Sequence, residues 1–142
     1  MELFERLVRY ETELWNAASA ALIHEGTIGL ATLLGLRALQ RHPGAARVQE
    51  VSEELAITAS AASKFVDRLE RDGLVARQRN PADRRSSLLT LTSAGEAAAH
   101  EAETSVRVLL DRVLVGTEAD RLQDLLDALE AHLTNVRAGA AA

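Results

Sequence analysis

Apolar residues recur along this 142-residue chain with two different periods, and the elements change where the period changes. Leu3, Leu7, Tyr10 and Leu14 return every three to four positions, with Phe4 and Val8 beside them. That spacing puts an apolar stripe on one helix, which the Ala-rich run NAASAALI extends to about Ile23 before His24-Glu25-Gly26 breaks it. Thr27 is placed to cap a second helix, roughly Ile28 to Arg41. Its apolarity on most sides (IGLATLLGLRAL) predicts deep burial, and His42-Pro43-Gly44 ends it. Val48, Val51 and Leu55 mark a short third helix with Glu50, Glu53 and Glu54 facing out. Ile57 closes that helix and Thr58 caps a fourth. There Ala62, Val66 and Leu69 follow the i, i+4, i+7 rule, Phe65 borders the seam, and Gly73 stands where a left-handed residue ends a helix. Two short helices with narrow seams, a few residues apart, predict a helix-turn-helix.

The period then falls to two. Leu74 to Gln78 and Ser87 to Leu91 read as strands around a turn, Arg79-Asn80-Pro81-Ala82-Asp83-Arg84. A hairpin directly after the second helix of such a pair is a wing. Thr92 opens a fifth helix running to about Val115, and Gly116-Thr117 interrupts it. The last helix carries Leu122, Leu125, Leu126, Leu129, Leu133 and Val136, and its AGAAA tail is expected to fray. The predicted fold is mainly α with a small β-wing, one domain over 1–142. Its winged helix-turn-helix occupies about 27–91, and the helices over about 1–25 and 92–142 form a dimerisation region. The terminal stripes exceed what one winged domain of this size buries, so a two-fold homodimer is expected, with an intramolecular bundle as the alternative.

Composition narrows the function. At 47% hydrophobic and 3% aromatic the core is aliphatic, and the absence of cysteine excludes disulfides, a cysteine zinc site and a thiol sensor. No run of about 18 uncharged apolar residues is present. The opening ELFERLVRYETELW mixes charges with apolar residues, unlike a secretion signal. A cytoplasmic protein without a membrane partner is expected. There is no Gly-rich phosphate loop, His-Glu-x-x-His or Gly-x-Ser-x-Gly, and the four histidines (24, 42, 100 and 132) lack ligand spacing. The chain is therefore expected not to be an enzyme and to need neither cofactor nor metal; His42 and His100 with nearby glutamates are the one metal set to weigh.

Net charge is −5, yet it is unevenly spread. Between Thr58 and Arg85 seven basic residues outnumber four acids, whereas the remainder holds nine basic and seventeen acidic residues. Such asymmetry orients a protein on a polyanion. With Ala62, Val66 and Leu69 turned inward, the pattern puts Ser60, Ser63, Lys64, Asp67 and Arg68 on the outer face of the fourth helix. Short serines let a helix approach base edges in the major groove, and Lys64 and Arg68 are suited to guanine edges or phosphates. The helix start at Thr58 favours a phosphate. Asp67 is expected either to pair with a neighbouring arginine or to accept from a cytosine amine. At the wing, Arg79, Arg84 and Arg85 surround Asp83, an arrangement that holds one guanidinium fixed and offers others to a narrow minor groove.

The set Ala-Ser-Lys at 62–64, Leu69-Glu70, Gly73-Leu74-Val75, Asp83-Arg84-Arg85 and Thr92-x-x-Gly95 resembles the MarR family of winged-helix transcription factors. The flanking helices agree, so the resemblance covers nearly the whole chain. It implies a triangular homodimer, a palindromic operator on double-stranded DNA, repression, and release by a small-molecule effector. It puts Ser63 and Lys64 on the major-groove face and Arg85 in the minor groove. Lys64 replaces the family's commoner arginine, exchanging a forked contact for a point charge. The family's ligand pocket lies where dimer helices meet the winged domain, which makes Tyr10, Trp15, His24 and His42 its candidate lining. The competing reading is a winged helix used for protein contacts alone, without DNA.

Overall fold

The computed structural model describes residues 1–44, 46–81, 83, 86–114 and 118–140. Its helices are α1 (Glu2–His24), α2 (Leu30–Arg41), α3 (Val48–Glu54), α4 (Ala59–Arg71), α5 (Ser93–Val113) and α6 (Glu118–Ala140), with strands β1 (Val75–Arg79) and β2 (Ser87–Leu91) between α4 and α5. The chain divides into two compact units, Met1–Arg107 and Val108–Ala142.

The first unit has one aliphatic core to which each of its elements contributes. Leu22 of α1, Leu36 of α2, Val51 of α3, Val66 and Leu69 of α4, Leu89 of β2 and Ala99 of α5 are all fully buried or nearly so. α1 enters this core only through its C-terminal half, at Ala18 and Leu22; residues 2–13 are exposed, including Leu3, Phe4, Leu7, Val8 and Tyr10. Thr27 does not start α2. Its backbone N–H and its hydroxyl both donate to the Leu22 carbonyl, at 3.1 and 3.3 Å, so it closes the end of α1 after Gly26 turns the chain at φ +69°. α2 begins three residues later, behind Gly29.

The turn between α3 and α4 is fastened by one serine. The Ser52 carbonyl accepts from the Ile57 N–H at 3.0 Å, and its hydroxyl donates to the Ile57 carbonyl at 2.6 Å. Ala56, between them, takes a left-handed conformation at φ +50°. Beyond α4, Gly73 (φ +73°) reverses the chain into β1, which pairs antiparallel with β2 from Val75↔Leu91 to Arg79↔Ser87. β1 thus ends one residue later than the alternation predicts. The far edge of β2 is not open: the Leu89 N–H donates to the Ala46 carbonyl at 2.8 Å, which ties the α2–α3 connection to the sheet.

The Thr92-x-x-Gly95 pattern is the joint between wing and α5. The Thr92 hydroxyl donates to the Gly73 carbonyl at 2.6 Å and accepts from the Gly95 N–H at 3.1 Å, while the Thr92 N–H donates to the Leu74 carbonyl at 3.0 Å. One side chain therefore caps α5 and anchors it to the end of α4.

In the second unit, α6 contains no buried residue among those described; Leu122 is half-buried, and Leu125, Leu126, Leu129, Leu133 and Val136 are exposed. Its helical bounds include residues 138–140 of the tail expected to fray. No helix of the described residues is long and apolar enough to cross a membrane.

Candidate nucleic-acid interface

α4 is fixed at both ends and along one side, which leaves a defined face outward. Thr58 caps its start, accepting from the Ala61 N–H at 3.2 Å, and Ala62, Val66 and Leu69 are sealed in the core. At about 100° per residue, the side opposite that seam is occupied by Ser60, Lys64, Asp67 and Arg71, all exposed. Ser63 is half-buried on the flank of the helix instead of in the middle of its outer face. Arg68 lies on the other flank, its guanidinium carbon 5.2 Å from the centre of the Phe65 ring. Phe65 owes its position to Gly35 of α2: a Cβ there would stand 2.3 Å from the ring edge, so only glycine lets the ring press on the α2 backbone.

The two acids of this helix are answered from the wing. Arg77 of β1 forms ion pairs with Asp67 and, through Nε at 2.9 Å, with Glu70. Of the two fates open to Asp67 in the sequence, the arginine partner is the one adopted. Among the described residues Lys64, Arg68, Arg71 and Arg79 are in no ion pair. The helix therefore presents cations whose charge is uncompensated and acids whose charge is met.

The base of the wing is held by Asn80, a buried polar residue only 5% exposed. Its amide donates to the Ser86 hydroxyl at 2.8 Å, which in turn donates to the Asp83 carbonyl at 3.2 Å; the Ser86 N–H reaches the same carbonyl at 3.1 Å. Arg79 is exposed at the end of β1. Arg84 and Arg85, the other wing arginines singled out by sequence, lie outside the described residues.

The residues suggested for an effector pocket occupy separate points. Tyr10 and Trp15 are both exposed on α1, about 140° apart around its axis, and His24 lies roughly 20 Å further along it than Tyr10. His24 pairs with Glu25 at 3.3 Å. His42 pairs with Glu54 at 3.5 Å, sharing that carboxylate with Arg41. Among the described residues no group of three or more His, Asp or Glu is placed to hold a metal ion.

Sequence reasoning left Arg71 and Arg77 as charges without duties and did not single out Asn80 or Gly35. Arg71 was legible, since it continues the series 60, 64, 67 by four. The partners of Arg77 and the burial of Asn80 depend on how the hairpin folds back over α4, which no local pattern states.

A helix-turn-helix with a capped, cation-bearing second helix and a β-hairpin after it defines the chain as a winged-helix DNA-binding protein. A family model described as MarR family matches residues 30–86. The HTH-type transcriptional repressor MdtR of Bacillus subtilis (strain 168) is 35% identical over 112 residues, covering 78% of this chain and 68% of that protein. BldR, a transcriptional regulator from Sulfolobus solfataricus, shares the fold with a TM-score of 0.78 at 23% identity, over 94% of both chains. The repressor CouR bound to a 23-mer DNA duplex gives a TM-score of 0.67 at 27% identity, over 93% of this chain and 89% of that one. CouR from Rhodococcus jostii RHA1 bound to p-coumaroyl-CoA gives 0.76 at 24% identity, over 88% and 87%. This chain belongs to the MarR family of transcriptional regulators.

Proposed function

We propose that the protein is a homodimeric repressor that reads a palindromic operator in double-stranded DNA and is released by a small molecule. The observation carrying this reading is the exposed side of α4, where Lys64 and Arg71, with Arg68 on the flank, are in no ion pair while Asp67 and Glu70 are met by Arg77, in a chain otherwise acidic. In this reading α4 enters the major groove. Ser60 and Ser63 face base edges, Lys64 and Arg68 take guanine edges or phosphates, and the capped start at Thr58 meets the backbone. Arg79, Arg84 and Arg85 approach the neighbouring minor groove from the wing, with Asp83 steadying it. The winged part, about 27–91, contains the family match, and the terminal helices, about 1–25 and 92–142, join two copies.

The exposed apolar residues of α1 and of α6 support the dimer. CouR, of the same fold, supports both the DNA and the effector, for which Tyr10, Trp15, His24 and His42 supply the aromatic and imidazole groups. The reading assigns no catalytic step and a cytoplasmic site of action.

The test is a salt titration of binding to a 23-base-pair duplex selected from a random pool by the wild-type protein. Lys64→Ala and Arg79→Ala are each expected to weaken binding and to flatten the dependence of log K on log salt by about one, with unchanged melting temperature. Selection of no duplex, or an unaltered slope in both variants, overturns the assignment.

A further inference from the structure

Asp67 and Glu70 are the liability of this interface. Asp67 sits within the outward series Ser60, Lys64, Asp67 and Arg71, with 52% of its side chain exposed, and Glu70 is 44% exposed one turn-edge away. A helix laid against phosphates would bring both carboxylates toward like charge, and like-charge juxtaposition at an interface costs on the order of a hundred-fold or more in affinity. Arg77 is the group that meets them. It comes from β1, not from α4. It is the least exposed member of the three, at 28%; a terminal nitrogen donates to Asp67, while Nε lies 2.9 Å from a Glu70 oxygen as an ion pair without hydrogen-bond geometry. A guanidinium suits this task because its charge is delocalised over a planar fork, so one side chain donates to Asp67 and still lies against Glu70 on the same helix. Arg77 belongs to the wing strand, so the same contacts tie α4 to the hairpin.

We infer that Arg77 is a positioning residue for DNA recognition, which masks Asp67 and Glu70 and holds the recognition helix to the wing without itself touching DNA. The inference rests on the reading of α4 as the DNA-facing helix. Its consequence is that the cost of losing Arg77 resides in the two acids it leaves uncovered. Removing those acids as well should restore binding. If Arg77 contacted a phosphate directly, no change at Asp67 or Glu70 would replace it.

The experiment measures affinity for the selected 23-base-pair duplex and for an unrelated duplex of equal length, together with melting temperature. Its variants are Arg77→Gln, Asp67→Asn/Glu70→Gln, the triple combination, and Lys64→Ala. Arg77→Gln is expected to weaken binding to both duplexes by roughly tenfold or more, and the triple variant to return within about threefold of wild type. Asp67→Asn/Glu70→Gln alone is expected to bind the unrelated duplex more tightly than wild type, since a cation is freed. A triple variant as weak as Arg77→Gln overturns the inference, as does wild-type affinity in Arg77→Gln. An Arg77→Gln chain that binds weakly only because it has unfolded is revealed by its melting temperature; there Arg77→Lys, which keeps the charge but not the fork, takes its place and is expected to fall between wild type and the glutamine variant. If Lys64→Ala also leaves binding unchanged, the DNA-facing reading of α4 fails; if Lys64→Ala weakens binding and Arg77→Gln does not, only the role of Arg77 fails.

Discussion

A Cβ at residue 95 would lie 2.0 Å from the Leu74 carbonyl oxygen and 3.0 Å from its carbon, both atoms of backbone. No rotamer change relieves such a contact, so the start of α5 or the whole β1 strand has to move. The Leu74 carbonyl is already engaged by the Thr92 N–H, and Thr92 is engaged by Gly73 and Gly95, so movement breaks the joint as well. Gly95→Ala is therefore expected to destabilise the fold by about 3 kcal/mol, read by urea denaturation with unchanged m-value. A loss below about 1 kcal/mol would mean that α5 shifts freely and that the joint is not rigid. At this scale the sequence was partly legible. Thr92 and Gly95 stood out as a Thr-x-x-Gly pattern, with Thr92 read as the first residue of the fifth helix; it is the cap one position before it. The reason Gly95 must be glycine was not legible, because Leu74 is about twenty positions away and meets it only in the folded chain. Thr27 was misread for a related reason: a threonine just before an apolar run looks like a helix start, but the two preceding residues curl it back onto the Leu22 carbonyl.

Among elements, the seat of α4 on α2 is set by a size exchange. Gly35 leaves a flat patch on α2, Phe65 fills it, and Arg68 stacks over the ring. Gly35→Ala pushes a methyl group into the ring edge at 2.3 Å. It is expected to cost about 1–3 kcal/mol in stability and to weaken DNA binding more than stability alone accounts for, since Arg68 moves with the ring. Phe65→Leu on the Gly35→Ala background restores room and is expected to recover stability but not the Arg68 stack. Equal stability of the single and double variants, by thermal unfolding, would show that the two positions are not coupled. All eight elements were legible from the spacing of apolar and polar residues; seven of them bury one stripe or one face in the core of the first unit, while α6 carries its stripe exposed. Their mutual contacts were not, since periodicity records which side of an element is buried and not what buries it. Hence Phe65 read only as the edge of a seam, and Ser63 as fully outward although it is half-buried.

For the molecule as a whole, the unresolved business of the monomer is its apolar exterior. Leu122, Leu126, Leu129, Leu133 and Val136 follow a 4-3-4-3 spacing along α6, the spacing of a helix that packs lengthwise on another. Leu125, Leu126, Leu129, Leu133 and Val136 are exposed. They are about half exposed, so covering all five on each of two copies is worth roughly 8–16 kcal/mol at about half of ~1.5–3 each, of the same order as the ~4–15 kcal/mol that association costs. A second copy of the chain is therefore the expected cover for the α6 stripe, as in the homodimer proposed above. Leu129→Glu/Leu133→Glu is expected to sediment as one chain's mass where the wild type sediments as two. The winged unit, whose core does not include these residues, is expected to retain its cooperative unfolding. Affinity for a palindromic duplex should then fall by about 10²–10⁴, the loss of a second linked contact, while affinity for a duplex carrying one half-site stays close to that of the wild type. A variant that remains a dimer would move the interface off α6. A variant that becomes monomeric yet keeps full affinity for the palindrome would show that each winged helix binds alone.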